Sequence, residues 1–118
     1  MEFNRTPRPT HTYWGYADDA TELAPGIWSV STPSHGGIII SAQRHNAMPA
    51  HLRAIRTFAD GLNYEEDCDW SIVAMAFPEA FSERERTAAI GTFNGWILPK
   101  LAAKTSSSRG QQPLDLGA

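Results

Sequence analysis

Two runs of strand-forming residues flank a turn-like segment in the N-terminal half of the chain. Residues 26–32 alternate apolar side chains with small polar ones, and residues 38–41 form a β-branched run. Alternation and β-branching are both typical of strands. The intervening segment, Pro33-Ser34-His35-Gly36-Gly37, contains two glycines that can take the positive φ values of a tight connection. The pattern therefore predicts a β-hairpin.

The spacing of apolar positions changes to a helical period after Ser41. Over residues 46–58, apolar side chains recur on one helical face. These positions are Met48, Leu52, Ile55 and either Phe58 or Ala59. Pro49 suits the first turn of a helix, and Gly61 suits a helix end. The segment is the first predicted helix.

A second helix start is predicted from a capping pattern. Asn63 can cap a helix, and Glu66 follows three residues later, at the position that completes a capping box. The helix is expected to run to about Ala76, before Pro78. Residues 70–77 are nearly all apolar, so a buried strand is the open alternative for them.

A third helix is predicted from Ser82 and Glu85, which have the same capping-box spacing, and Pro99 ends it. One face of this helix carries Ala89, Phe93, Trp96 and Ile97. Core packing is the simplest role for Trp28, Trp70 and Trp96.

Together these elements predict an α+β fold, with a small antiparallel sheet built on the β-hairpin and packed against about three α-helices. A chain of 118 residues is long enough for one domain. We place this domain at residues 23–101. Residues 1–22 form an N-terminal arm whose aromatic segment is expected to dock. Residues 102–118 are rich in Ser, Gln and Gly and are predicted to be a flexible tail.

Composition restricts the compartment. Hydrophobic residues make up 42% of the chain and charged residues 19%, which favours a folded, soluble domain. The longest apolar stretch, residues 73–77, is far shorter than the ~20 residues of a membrane span, and the polar start has no signal-peptide core. The lone Cys68 excludes an internal disulfide and a zinc site of the paired-cysteine kind. We expect a cytoplasmic protein without membrane contact, and no pattern predicts a cofactor.

The charge balance argues against direct nucleic-acid binding. The net charge is −3, whereas nucleic-acid-binding domains usually carry clustered Lys and Arg. A nucleic-acid-binding accessory protein is nevertheless an alternative, and it would require five arginines to form one basic face. These are Arg44, Arg53, Arg56, Arg84 and Arg86.

The first candidate site is the loop that contains Ser34 and His35. Backbone N–H groups of such a loop can cradle an anion, and the ordinary pKa of histidine suits general acid or base chemistry. A small enzyme that uses His35 with Asp67 or Glu66 is therefore an alternative function. In the plainer interpretation, the segment is a hairpin turn in which His35 bonds the adjoining backbone.

The second candidate is the acidic segment Tyr64-Glu65-Glu66-Asp67-Cys68-Asp69-Trp70. On a helix its carboxylates diverge, so we expect no metal site, and acids at a helix start need no ligand to explain them. The negative charge disfavours ionisation of Cys68, so an inert cysteine is expected. Acidic and aromatic groups together are typical of a surface that recognises a basic partner.

Three stretches of the chain resemble one family. They are Pro25-Gly26-Ile27-Trp28-Ser29-Val30-Ser31-Thr32-Pro33-Ser34-His35-Gly36-Gly37-Ile38, then Arg44-His45-Asn46-Ala47-Met48-Pro49, then residues 64–70 followed by Ala76-Phe77-Pro78-Glu79-Ala80-Phe81. The family is DUF7007, a set of uncharacterised bacterial and phage domains, and the resemblance spans about residues 25–99. It implies a plasmid, integrated-element or prophage setting, and it supplies no catalytic residues.

Small acidic proteins of mobile elements often block host defences by occupying a surface of a defence complex. The analogy with these proteins rests on the shared genetic setting and not on particular residues. The main hypothesis is a non-enzymatic protein-binding accessory protein that inhibits a host defence system, such as a CRISPR effector. The predicted binding residues are Ser34, His35, Tyr64, Glu65, Glu66, Asp67, Asp69 and Trp70. This hypothesis requires both segments to lie at the surface, and the sequence predicts no oligomeric state.

Overall fold

A computed structural model of the protein describes residues 2–55 and 60–103. The strands are β1 (His11–Thr12), β2 (Gly15–Tyr16), β3 (Asp19–Ala24), β4 (Ile27–Ser31), β5 (Gly36–Ile40) and β6 (Asn63–Glu65). The helices are α1 (Ala42–Ala47), α2 (Ala50–Arg53), α3 (Trp70–Ala76) and α4 (Glu83–Thr92). The predicted α+β fold class is confirmed. Most of the predicted tail, from residue 104 on, lies outside the described residues. None of the helices in the described ranges has the length and apolar character needed to cross a membrane.

A four-stranded antiparallel sheet with the order β3-β4-β5-β6 forms the centre of the fold. Strands β4 and β5 are the predicted hairpin, in continuous register along both strands. The turn between them is closed by Thr32, whose Oγ1 donates to the His35 carbonyl oxygen over 2.6 Å and accepts from the His35 N–H over 3.1 Å. The predicted hairpin is therefore confirmed.

The two glycines after this turn serve close packing. The prediction that Gly36 and Gly37 supply positive φ is wrong, because both lie inside β5 and neither has a positive φ. A methyl group at Gly36 would lie 2.6 Å from the Val30 carbonyl oxygen. One at Gly37 would overlap the Tyr64 carbonyl oxygen and lie 2.6 Å from the Trp14 ring. Neighbouring backbone and side chains thus approach too closely for any larger residue.

The core lies between the helices and one face of this sheet, which we call the front face. Because side chains alternate along a strand, residues opposite one another in register share a face. The front face contributes Ile27, Ile38, Ile40 and Tyr64, and the remaining chain contributes Met48, Leu52, Ile72, Val73, Ala74, Phe77, Phe81, Ala89, Phe93 and Ile97. All of these side chains are buried.

Residues 6–14 cross the opposite face of the sheet, which we call the back face. The Trp28 Nε1–H donates to Thr6 Oγ1 over 3.0 Å, and the Trp14 ring lies against Gly37. Strands β1 and β2 form a small antiparallel pair in this region. The arm thus shields Trp28, which is buried although it does not face the helices. The predicted boundary between arm and domain, after residue 22, falls inside strand β3, which pairs along its length with β4.

Arg44 fastens the start of the arm to the helical layer. Its side chain is 4% exposed, and its Cζ lies 3.6 Å from the ring centroid of Phe3 and 4.8 Å from that of Phe77. Nε donates to the Pro25 carbonyl oxygen over 2.9 Å, and Nη1 lies 3.4 Å from a Glu79 carboxylate oxygen. Burial lowers the pKa of Arg44, and the Glu79 charge opposes this. Arg44 is a structural residue and cannot join the predicted basic face.

Replacing Arg44 by lysine is expected to lower the free energy of unfolding by about 1–2 kcal/mol. Lysine keeps the charge but has no planar group to lie between two rings while donating to a carbonyl. Urea unfolding measures the difference. Arg53→Lys is the matched control, because the Arg53 hydrogen bond that the described residues show, to the Asn46 carbonyl oxygen, is exposed. An Arg44→Lys protein as stable as this control would contradict the structural role.

The first predicted helix, over residues 46–58, is instead two short helices, α1 and α2. Met48 separates them with an extended backbone, φ −64° and ψ 144°. The cause is Pro49, because a proline ring disfavours helical geometry in the preceding residue. Met48 and Leu52 are buried, as the helical period predicts. Residues 56–59, which include the last predicted positions, lie outside the described residues.

The second predicted helix starts later than its capping pattern indicates. Asn63 is the first residue of β6, and Tyr64 lies opposite Ile38 in register. The core requirement for the Tyr64 side chain therefore outweighs the local helix signal of Asn63 and Glu66. Residues 70–76 form α3, so the alternative of a buried strand for this stretch is wrong.

The predicted capping box of the third helix is confirmed. Ser82 Oγ accepts from the Glu85 N–H over 3.1 Å, and Glu85 Oε1 accepts from the Ser82 N–H over 2.8 Å. This reciprocal pair fixes the first turn of α4, which leads on to the aromatic end of the helix.

The far end of this helix widens into a π-helical turn over Phe93–Ile97 and continues to residue 103, so the prediction that Pro99 ends the helix is wrong. Ala89, Phe93 and Ile97 are buried, whereas Trp96 is 61% exposed. The predicted placement of Trp96 on the buried face is wrong. A π-turn holds more residues than an α-turn, so two residues four apart stay on the inner face while Trp96 is directed outward.

Candidate functional site

The hairpin turn (residues 32–35) and the acidic turn (residues 66–69) lie side by side. They meet where the Glu66 N–H donates to the Gly36 carbonyl oxygen over 3.0 Å. The Glu66 carboxylate lies close to the same glycine, because a methyl group at Gly36 would be 2.8 Å from Glu66 Oε2. The structure thus brings together the two segments that the sequence singles out separately.

Several predicted binding residues are accessible to a partner at this place. Ser34, His35, Glu66 and Asp67 are exposed. Trp70 is half-buried, and its ring centroid lies 6.1 Å from that of Phe81. We call the group formed by Ser34, His35, Glu66, Asp67 and Trp70 the acidic surface.

Tyr64 and Asp69 lie inside the fold. Tyr64 is 1% exposed, and its hydroxyl donates to the Gly61 carbonyl oxygen over 2.9 Å. Asp69 is 9% exposed and occupies the position that caps α3. Both side chains are buried, so neither is accessible to a binding partner.

Glu65 holds the acidic turn in shape. Its carboxylate accepts from the N–H groups of Asp67, Cys68 and Asp69 over 3.0, 2.6 and 3.2 Å. Burial by itself raises the pKa of Glu65, but these three donors and the nearby Lys100 together lower it below its ordinary value. Glu65, and not the predicted Glu66, thus bonds the N–H groups that lead into α3, and the Glu66 side chain is left at the surface.

The thiol within this turn is not activated. Burial, followed by the Glu65 charge, raises the pKa of Cys68, which opposes thiolate formation. In the described ranges, no group of three His, Cys, Asp or Glu residues is arranged to hold a metal ion. The acidic surface itself offers carboxylates, hydrogen-bonding groups and an aromatic ring.

A cleft of about 370 Å³ opens next to the acidic surface. Its residues come from the sheet, from α3 and from the start of α4. They include Leu23, Ser29, Ile38, Glu66, Trp70, Phe81, Arg84, Glu85 and Ala88. A mostly apolar hollow with a few charged groups is the usual form of a site that takes a side chain or a small ligand.

Sequence reasoning missed the strand side of this cleft. Leu23 belongs to β3, whose register shifts between Glu22 and Ala24, so the strand has no regular alternation for a pattern search to detect. Arg84 and Glu85 carry only the signal of a helix start. The proximity of Leu23 to α4 depends on long-range packing that no local pattern encodes.

Among the described residues, no hydrogen bond joins the His35 ring to a carboxylate. Its hydrogen bonds in the described part of the chain join its backbone to Thr32, and it does not line the cleft. A catalytic pair needs the ring within about 2.6–3.2 Å of a carboxylate, directly or through one water. No hydrogen bond of the described chain joins this ring to Glu66 or Asp67.

Three of the five arginines of the alternative basic face have separate structural roles in the described part of the chain. Arg44 is buried, Arg53 bonds the Asn46 carbonyl oxygen, and Arg86 bonds the Phe81 carbonyl oxygen. Arg84 is a cleft residue, and Arg56 lies outside the described ranges.

No curated protein and no solved structure matches the chain. A family of domains matches it over residues 7–111. This range includes β1 to β6, both turns of the acidic surface and the cleft, and it extends beyond the resemblance noted for residues 25–99. The chain therefore belongs to the family of the domain of unknown function DUF7007.

Proposed function

We propose that this protein is a non-enzymatic binding protein that uses the acidic surface and the adjoining cleft to engage a protein partner. The observation that carries the proposal is the hydrogen bond between Glu66 and Gly36, which brings the exposed Ser34 and His35 next to the turn that carries Glu66 and Asp67. Carboxylates next to a half-buried aromatic ring and an apolar hollow suit a partner surface that carries a basic residue beside an apolar one.

The biological setting is the second part of the proposal. The resemblance to phage and plasmid domains supports a role in a mobile genetic element, within the cytoplasm of a bacterial host. In that setting, the partner is a host defence complex such as a CRISPR effector, and inhibition follows from occupation of one of its surfaces.

The test is a binding and interference assay with purified CRISPR effector complexes. The double variant Glu66→Arg with Asp67→Arg is expected to weaken both binding and inhibition by about tenfold or more, because charge reversal replaces attraction with repulsion at a partly desolvated contact. Both side chains are exposed, so thermal unfolding of the variant should match the original protein.

Glu2→Arg is the matched control. It reverses an exposed glutamate that lies in the arm, outside the acidic surface, and should leave binding unchanged. Equally strong binding by the original protein, the double variant and Glu2→Arg would show that the acidic surface does not bind the partner. Binding to no defence complex would remove the assigned target.

A further inference from the structure

Strand β3 is an edge of the sheet, with β4 as its neighbour on one side. Gly26 and Thr32 bond toward β5, through Ser41 N–H and the His35 carbonyl oxygen. Even-numbered positions of β4 therefore bond β5, and odd-numbered ones bond β3.

The partners of those odd positions in β3 are Asp19 and Thr21, which lie opposite Ser31 and Ser29. The backbone N–H and C=O groups of Ala20 and Glu22 consequently point away from the sheet. Within the described residues, no strand pairs with this edge. Such a row of backbone groups is a template for another strand.

The outer edge of β3 leads directly into the cleft. Leu23, at the bulge of β3, lines the cleft with Ser29 of the neighbouring strand. Asp19 and Thr21 share the front face with Ser29, and both are exposed. The helices therefore leave this part of the front face open. A strand added about 4.8 Å from β3 would direct alternate side chains toward this opening.

We propose that the partner contributes an extended segment that adds to the edge of β3 as a fifth strand, with an apolar side chain in the cleft and a basic side chain beside Asp19. This proposal rests on the proposed function, since it names how the same site holds its partner. Main-chain hydrogen bonds to Ala20 and Glu22 supply affinity, and the cleft selects the side chain, which is the usual division of roles in strand addition.

Charge and strand geometry favour a short basic segment as the occupant. Asp19 is exposed and lies 3.9 Å from the Arg8 side chain, Glu66 and Glu85 line the cleft, and Arg84 is the cationic group among the cleft residues. The three carboxylates thus outnumber the two arginines at this edge. The bulge at Leu23 interrupts regular pairing, so the added strand runs beside residues 19–22. A segment with an apolar and a basic residue an even number of positions apart fits this length of edge, because both side chains then point to the front face.

The test uses short linear peptides selected from a random displayed library against the full chain. Selected peptides should share an apolar residue and a Lys or Arg that follow a two-residue period, so that both side chains point to the front face. On titration of a synthetic selected peptide, the Ala20 and Glu22 amides should become protected from hydrogen exchange. Peptides without this period, or unchanged exchange at both amides, would overturn strand addition.

Ala20→Pro sharpens the test. Proline removes an outward N–H without removing a bond to β4, and edge strands accept it. Affinity for the selected peptide should fall about tenfold, the effect of one hydrogen bond and a steric conflict with the added strand. Ala20→Ser is the matched control, because it keeps the amide and should bind normally. Equal affinity in the two variants would overturn the proposal.

The outcomes separate the two proposals. Peptide binding that is lost in Glu66→Arg with Asp67→Arg but kept in Ala20→Pro refutes strand addition and leaves the acidic surface in place. Peptide binding that is insensitive to all of these changes refutes both.

Discussion

Replacing Gly37 by alanine is expected to destabilise the protein by about 3 kcal/mol, the upper range for forcing a methyl group into a packed site. The added methyl would overlap the Tyr64 carbonyl oxygen and lie 2.6 Å from the Trp14 ring and 3.0 Å from the Glu65 Cα. Two of these neighbours are backbone of β6, so relief requires the strand to move. Urea unfolding followed by tryptophan fluorescence measures the loss.

Gly91→Ala is the control for this substitution. Gly91 lies in α4, and a methyl group there would meet no atom within 4 Å. Because alanine is the better helix former, this variant should be more stable by about 0.5–1 kcal/mol. Opposite signs for the two Gly→Ala changes are the expected result. A stable Gly37→Ala protein would contradict the close packing of β5 against β6.

Glu65→Ala is expected to cost about 2–3 kcal/mol, because it leaves the three N–H groups of the acidic turn without their carboxylate acceptor. Glu66→Ala is the neighbouring control and should change stability by less than about 0.5 kcal/mol, since Glu66 is exposed. Equal losses in the two variants would show that the turn does not depend on Glu65.

The pH dependence of stability provides a second measurement on Glu65. Its folded-state pKa lies below the ordinary value of 4.5, so ionisation stabilises the folded state. This contribution is fully present above pH 4.5 and is lost as the pH falls through the lower, folded-state pKa. The original protein should therefore lose stability below pH 4.5 more steeply than Glu65→Ala. Parallel curves would contradict the assigned hydrogen bonds.

Local signals in the sequence predict those parts of the fold that short-range chemistry determines. The hairpin and the Ser82 capping box are present as predicted. Turn residues and helix caps determine the conformation of residues only a few positions away in the sequence. The prediction for Asn63 was wrong for the converse reason. The register of β6 against β5 buries Tyr64, and this long-range requirement decides the local conformation.

The candidate site was predictable in composition and not in geometry. The sequence identifies the hairpin turn and the acidic segment. Their contact, however, depends on the hydrogen bond between Gly36 in β5 and Glu66, which directly follows β6. The same limit applies to the cleft. Leu23 and Arg84 are far apart along the chain, and only the packing of the start of α4 near the edge strand brings them to one hollow.

The position of Phe3 has a consequence for how the protein is made. Phe3 is synthesised before both residues that it packs against, which are Arg44 and, edge to face over 5.7 Å, Phe77. Because synthesis proceeds at about 5–20 residues per second, Phe3 precedes Phe77 by several seconds. The packing of Phe3 can therefore be completed only after Phe77 has been synthesised.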